Sequence, residues 1–166
     1  MVNNQPIEMG TVEVTLKYKR GELIVDLHRG KGIAGKRSQD TYAQVFLIDD
    51  DNNGKWDENQ KVYFGNKEKT EVFPKNLNPE FDTTFTFKME NAALLKKSLV
   101  ISIWDEDSSS RDDYMAGVTF PVMEVARFKK LGQRVDIDLQ VQELDGYVSH
   151  FLISLHHDYS PACSSL

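Results

Sequence analysis

Residues 99–117 read LVISIWDEDSSSRDDYMAG. Leu99, Ile101 and Ile103 alternate with Val100 and Ser102, which puts the first three on one side of an extended chain. The apolar spacing is two, not three or four, so the segment predicts a half-buried β-strand and not a helix. The strand runs straight into Asp105–Asp113, where five carboxylates are offset only by Arg111. A second apolar run follows at Ala116–Pro121. Strand, acidic loop, strand is the unit around which the rest of the chain is read.

The same alternation recurs on both sides. Val12, Val14, Leu16 and Tyr18 share one face of TVEVTLKY, and Leu23, Val25 and Leu27 share one face of ELIVDL. Ala43, Val45 and Leu47 do so in TYAQVFLI, and Phe81, Phe85 and Phe87 in FDTTFTF. VDIDLQV sets Val135, Ile137, Leu139 and Val141 against Asp136, Asp138 and Gln140. Weaker strand candidates are Glu71–Phe73, Ala116–Pro121 and Val148–Leu155. Helical spacing is confined to Val122–Lys130 and a turn near Glu90–Lys97. Many short strands separated by turn residues predict an all-β sandwich.

With 166 residues the chain suits one domain with a sizeable core. A net charge of −6 argues against nucleic acid as a partner. The acidity is local: Asp49–Gln60 and Asp105–Asp113 each hold five acids and one base. No apolar run is long enough to cross a bilayer, and the first residues lack the basic start and apolar stretch of a secretory leader. Cys163 is the single cysteine, so no internal disulfide forms, which fits a cytoplasmic setting.

Two catalytic readings fail on context. GKGIAG, Gly30–Gly35, matches the glycine pattern of a dinucleotide-binding turn, but no helical stripe follows to present its N-terminus to a pyrophosphate. It reads as a glycine-rich loop. His156 and His157 are adjacent, so in a strand they face opposite ways and cannot chelate one metal together. The chain is not expected to be an enzyme.

The acidic loop is either solvated or built around a cation. Asp105 and Asp107 project to the same side of an extended chain, and Asp113 follows after a polar turn. Hard oxygen donors on a loop suit Ca²⁺, which takes six to eight of them.

Several segments together resemble a C2 domain. They are GTVEVTLKY and GELIVDL, SQDTYAQVFL, KTEVFPKNLNPEFDTTFTF, LVISIWDED and DDYMAG. They are similar to the family's paired first strands, its S-D-P-Y segment, its L-N-P-x-F-x-x-x-F-x-F segment, its W-D-x-D loop and its N-D-F-M-G turn. The order and spacing of NLNPEF and WDED make the likeness specific, and the first strand resembles the synaptotagmin and protein kinase C topology. The resemblance implies an eight-stranded antiparallel Greek-key sandwich over residues 10–143, with 144–166 as an extension ending in a loose tail.

By position, it also implies Ca²⁺ ligands at Asp40, Asp105, Asp107 and Asp113, with Ser110 as a helper. An earlier loop-one aspartate of the family is replaced here by Ala34, and Lys36 and Arg37 lie nearby. A lost carboxylate lowers the charge that tunes cation affinity. Loop three carries Ser108, Ser109 and Ser110 in place of apolar residues, so membrane contact is expected to be electrostatic and salt-sensitive. In protein kinase C-like members a basic sheet groove takes phosphoinositide headgroups. Tyr42, Lys67, Lys69 and Trp104 match it, and Asp112 stands where those members have asparagine.

A further loop, DDDNNGKWDENQ, has the oxygen spacing of an EF-hand at Asp49, Asp51, Asn53, Lys55 and Asp57, with Gly54 at the turn. Gln60 stands where that loop wants glutamate, and strands, not helices, flank it. It reads either as a second cation loop or as a long polar hairpin turn. The expected function is Ca²⁺-regulated recruitment to anionic phospholipid or phosphoinositide membranes from the cytoplasm. The alternative is a Ca²⁺-independent C2 domain that binds protein partners.

Overall fold

Period-two alternation becomes eight strands and one short helix in the computed structural model, which describes residues 9–49, 64–90, 96–127 and 131–140. The strands are β1 (Thr11–Lys19), β2 (Glu22–Lys31), β3 (Thr41–Asp49), β4 (Phe64–Lys69), β5 (Thr83–Lys88), β6 (Lys97–Asp105), β7 (Asp113–Pro121) and β8 (Arg134–Asp138). Helix α1 spans Val122–Arg127. Two four-stranded sheets form, in the orders β5-β2-β1-β8 and β4-β3-β6-β7, with every pairing antiparallel.

Local chemistry sets the connections. Lys19 pairs with Glu22, leaving Arg20 and Gly21 as a two-residue hairpin loop with φ of 54° and 76°. Positive φ at both positions matches the twist of the strands it joins. Asp82, at φ 42°, turns the chain between Phe81 and β5, while its amide donates to the His28 carbonyl. GKGIAG forms the end of β2 and the loop after it, with no helix. The amides of Gly30 and Ile33 donate to the Pro79 and Leu77 carbonyls. A Cβ on Gly30 would lie 2.6 Å from Ile33 Cδ1, so close packing and not phosphate binding accounts for that glycine.

The core lies between the sheets. Val14, Leu16, Val25, Leu27, Val45, Leu47, Leu99 and Ile101 are fully inaccessible, with Phe81, Phe85 and Phe120 packed among them. Each such side chain contributes roughly 1.5–3 kcal/mol on burial, so the core outweighs the surface ion pairs. One ion cluster nevertheless has a buried centre, although its partners are partly exposed. Glu13, 8% exposed, accepts from Arg134 at 3.1 Å and Arg29 at 3.4 Å on the outer face of the first sheet. Its carboxylate also lies 3.2 Å from Lys31, which donates to Asp136 at 2.9 Å. Burial opposes ionisation of Glu13, but Lys31 and Arg29 outweigh it and hold the carboxyl below the usual range.

The sequence expectation differs from the structure in three places. β3 and β6 are buried on both faces, not one. Phe46, Ile48 and Val100 form a second apolar cluster on the outer side of their sheet, against Trp104 and Tyr114. Glu71–Phe73 is not a strand; Phe73 makes only an isolated bridge to Thr41. Strand character in VDIDLQV stops at Asp138, after which Gln140 bridges to Gly117 on the other sheet. Residues 128–130 of the expected helix, part of the turn near Glu90–Lys97, Val141, Val148–Leu155, His156, His157 and Cys163 lie outside the described residues.

Candidate functional site

The acidic end is assembled by strand register. Asp105 closes β6 and stands directly opposite Asp113, the first residue of β7. On its other side Asp105 pairs with Thr41, which brings Asp40 alongside. The Asp40 amide donates to Asp105 Oδ1 at 2.8 Å, and the Glu106 amide donates to the Asp40 carbonyl at 2.9 Å. Loop one and loop three are thereby stitched together across 65 residues of sequence.

Carboxylate oxygens of Asp40, Asp105 and Asp107 accept hydrogen bonds within the protein. Asp40 Oδ1 accepts from the Lys75 amide at 3.0 Å. Asp107 Oδ1 accepts from the Ser109 amide and hydroxyl, and its Oδ2 accepts from the Ser110 hydroxyl at 2.8 Å. The Ser109 amide, followed by the two hydroxyls, holds the Asp107 carboxyl below the usual range. Among the described residues, no group of three or more carboxylate, thiol or imidazole side chains is gathered closely enough to hold a metal ion. The donor chemistry suits a hard cation. Asp40 and Asp107 spend part of their acceptor capacity on these internal donors and keep the remaining lone pairs. Lys36 and Arg37 are exposed in loop one.

The second loop is only partly described. Asp51, Asn53, Lys55, Asp57 and Gln60 lie outside the described residues. Asp49 ends β3, and its carboxylate pairs with the ammonium of Lys97, a side chain only 9% exposed. A buried cation already neutralises the first oxygen position of that loop.

The basic and aromatic residues do come together. Gln44 pairs with Lys69 across β3 and β4, and Tyr42 pairs with Trp104 across β3 and β6. The Lys69 ammonium lies 5.4 Å from the centre of the Tyr42 ring, and that of Lys67 lies 4.9 Å from the centre of Phe46. Burial lowers the Lys67 pKa. Trp104 stands edge-on to Tyr114, with ring centres 5.4 Å apart, and donates from Nε1 to the Ser102 hydroxyl at 2.8 Å. Two lysines and a set of aromatic rings therefore occupy the outer face of the β4-β3-β6-β7 sheet.

Asp112 joins this face to the acidic loop. Its Oδ2 accepts from the Tyr42 hydroxyl at 2.5 Å and its Oδ1 from the Asp107 amide at 3.1 Å. The Tyr42 hydroxyl, then the Asp107 amide, keeps the Asp112 carboxyl below the usual range. Burial, reinforced by Asp112, pushes the Tyr42 phenol well above its ordinary value, so it stays a donor. The Asp112 link and the Phe46–Ile48–Val100 cluster went unread in the sequence. The uninterrupted apolar run VFLI was a signal for the cluster, because a strand covered on both faces loses its alternation.

The model of the C2 domain family matches residues 21–137. Human synaptotagmin-5 is 30% identical over 123 residues, 71% of this chain and 28% of that protein. The eye isozyme of protein kinase C from Drosophila melanogaster is 41% identical over 61 residues, 37% of this chain and 9% of that protein. The chain thus spans less than a third of the length of these relatives. The crystal structure of a C2 domain of RIM from Drosophila superposes with a TM-score of 0.63 at 23% identity, covering 81% of this chain and all of that one. The sequence match runs from the turn before β2 into β8, through both sheets and both sets of loops, and the chain belongs to the C2 domain family.

Proposed function

We propose that this C2 domain, over residues 10–143 with 144–166 as an extension, recruits the protein that carries it to anionic phospholipid surfaces in signalling or vesicle traffic. The observation that supports this best is the gathering of Tyr42, Lys67, Lys69 and Trp104 on one sheet face from three different strands. Lysines present point charges to phosphate oxygens, and aromatic rings flank a headgroup. The site lies next to the acidic end, where exposed Lys36 and Arg37 add attraction for an anionic surface. Among the described residues no helix is long and apolar enough to cross a membrane.

Asp40, Asp105, Asp107, Ser110 and Asp113 are the residues that would hold Ca²⁺ at the acidic end. Bound there, the ion would cancel the charge that repels anionic lipid and offer open positions to phosphate oxygens. The chain's own contribution is to hold Asp105 against Asp113 by strand register and Asp40 against Asp105 by the hydrogen bond from the Asp40 amide to the Asp105 carboxylate. The engagement of Asp40 and Asp107 by internal donors favours a second reading, in which the domain works without Ca²⁺ and binds proteins.

Sedimentation with phosphatidylserine and phosphoinositide vesicles, with Ca²⁺ or a chelator, separates the readings, together with calorimetric titration of Ca²⁺. Recruitment by Ca²⁺ predicts binding heat that Asp107→Asn reduces. Anionic-lipid binding with no Ca²⁺ heat leaves the basic face as the whole of the activity. Absence of binding to any anionic vesicle leaves the protein-binding reading.

A further inference from the structure

We infer that Asp112 is a built-in anion that occupies the headgroup position on the basic face and must be displaced when a phosphate binds there. The inference rests on the phosphate-binding reading of that face and adds to it what opposes binding. Three observations carry it. The Tyr42 hydroxyl, the neutral donor of the face, is already given to Asp112 Oδ2 at 2.5 Å. The Lys69 ammonium stands over the same Tyr42 ring, so the carboxylate and the lysine share one neighbourhood. The second Asp112 oxygen is tied to the Asp107 amide, which anchors the carboxylate there.

A carboxylate and a phosphate take a phenolic proton and face an ammonium in the same way, as oxyanions receiving charge-assisted hydrogen bonds. Whatever Asp112 holds, an incoming phosphate must win by exchange. Asp112 also repels it as a like charge. The opposition therefore grows with headgroup charge and weakens with salt. A purely structural role, holding the loop to the sheet, predicts the reverse: removing the charge would loosen the face and weaken binding.

The test compares wild type with Asp112→Asn, which removes the charge and keeps the size. Binding is measured in chelator on vesicles of phosphatidylcholine alone, with phosphatidylserine, or with a bisphosphorylated phosphoinositide. Loss of one partly exposed like charge is expected to tighten phosphoinositide binding by about three- to tenfold at low salt. The gain should be smaller on phosphatidylserine, absent on phosphatidylcholine, and should shrink as salt rises. Asp112→Ser, which removes the charge by a different side chain, has to give the same ordering, so a folding defect in one variant does not decide the matter.

Soluble inositol trisphosphate, titrated calorimetrically, locates the source. The same gain there assigns the ligand to the headgroup chemistry itself, and a gain on vesicles alone assigns it to the lipid surface. Both support the displaced carboxylate. Unchanged or weaker phosphoinositide binding in both variants, with wild type still binding, overturns the role of Asp112 and leaves the site standing. An equal gain on phosphatidylcholine overturns it too. If neither wild type nor variants prefer anionic vesicles, the inference and the phosphate-binding reading fall together.

Discussion

Replacing both face lysines, as Lys67→Gln/Lys69→Gln, gives the most direct measure of what the sheet contributes. A lysine held close to an anionic surface contributes about 1 kcal/mol. Two of them amount to about 2 kcal/mol, equal to about a 30-fold loss of affinity. The fold loses no more than that. The Lys67 ammonium lies over Phe46 and that of Lys69 over Tyr42. Such contacts contribute about 0.5–1 kcal/mol each, about 1–2 kcal/mol together, so the melting midpoint should drop by about 3–10 °C.

The assay is sedimentation with phosphoinositide vesicles across a salt series in chelator, with a thermal melt of the same protein. The double variant should bind far more weakly and show a flatter salt dependence, because two of the charges that respond to screening are gone. Wild-type affinity in the double variant at physiological salt would refute the reasoning. An equal loss at every salt concentration would do the same, because it would point to distorted packing and not to charge.

Glu13→Gln should destabilise the fold by about 1–2 kcal/mol at neutral pH, since its three cationic partners are partly exposed and each pairing is screened. The folded carboxyl is held below the ordinary glutamate value of 4.5, so this stability is present above that value and is lost as pH falls through the lower, folded pKa. Denaturant melts of wild type and variant should therefore converge in acid; a gap that persists there contradicts the assignment. Asp105→Ala removes the acceptor of the Asp40 amide, and hydrogen exchange at that amide should accelerate by about ten- to a hundredfold, the equivalent of a hydrogen bond to a carboxylate; an unchanged rate would mean that loops one and three are held by other contacts. Gly117→Ala would place a Cβ 2.3 Å from the Tyr114 hydroxyl and 3.0 Å from the Ile101 carbonyl oxygen. The expected cost, read by urea unfolding, is about 1–3 kcal/mol, and a neutral substitution would show that β7 yields freely.

What could be read along the chain was whatever depends on neighbours in sequence. Alternation at Val12–Leu16, Leu23–Leu27 and Leu99–Ile103 marked strands and their core side correctly, because side-chain direction in a strand is set by residue parity alone. The absence of a helical stripe after GKGIAG was enough to set aside the dinucleotide pattern. The acidic loop Asp105–Asp113 was legible from its own residues, whereas Asp40 and the four residues of the basic face were legible only through resemblance, since their spacing in sequence says nothing about who meets whom.

Tertiary structure decided the rest. Register across β3 and β6 put Tyr42 beside Trp104 and Asp40 beside Asp105, although 62 and 65 residues separate them. It also turned the carboxylates of Asp40 and Asp107 toward donors that no motif names, Lys75 and the two serines. It gave Asp112, one more acid in an acidic run, the hydroxyl of Tyr42. Periodicity along one strand tells each side chain which side to face; only the pairing of strands distant in sequence determines which charge it finds there.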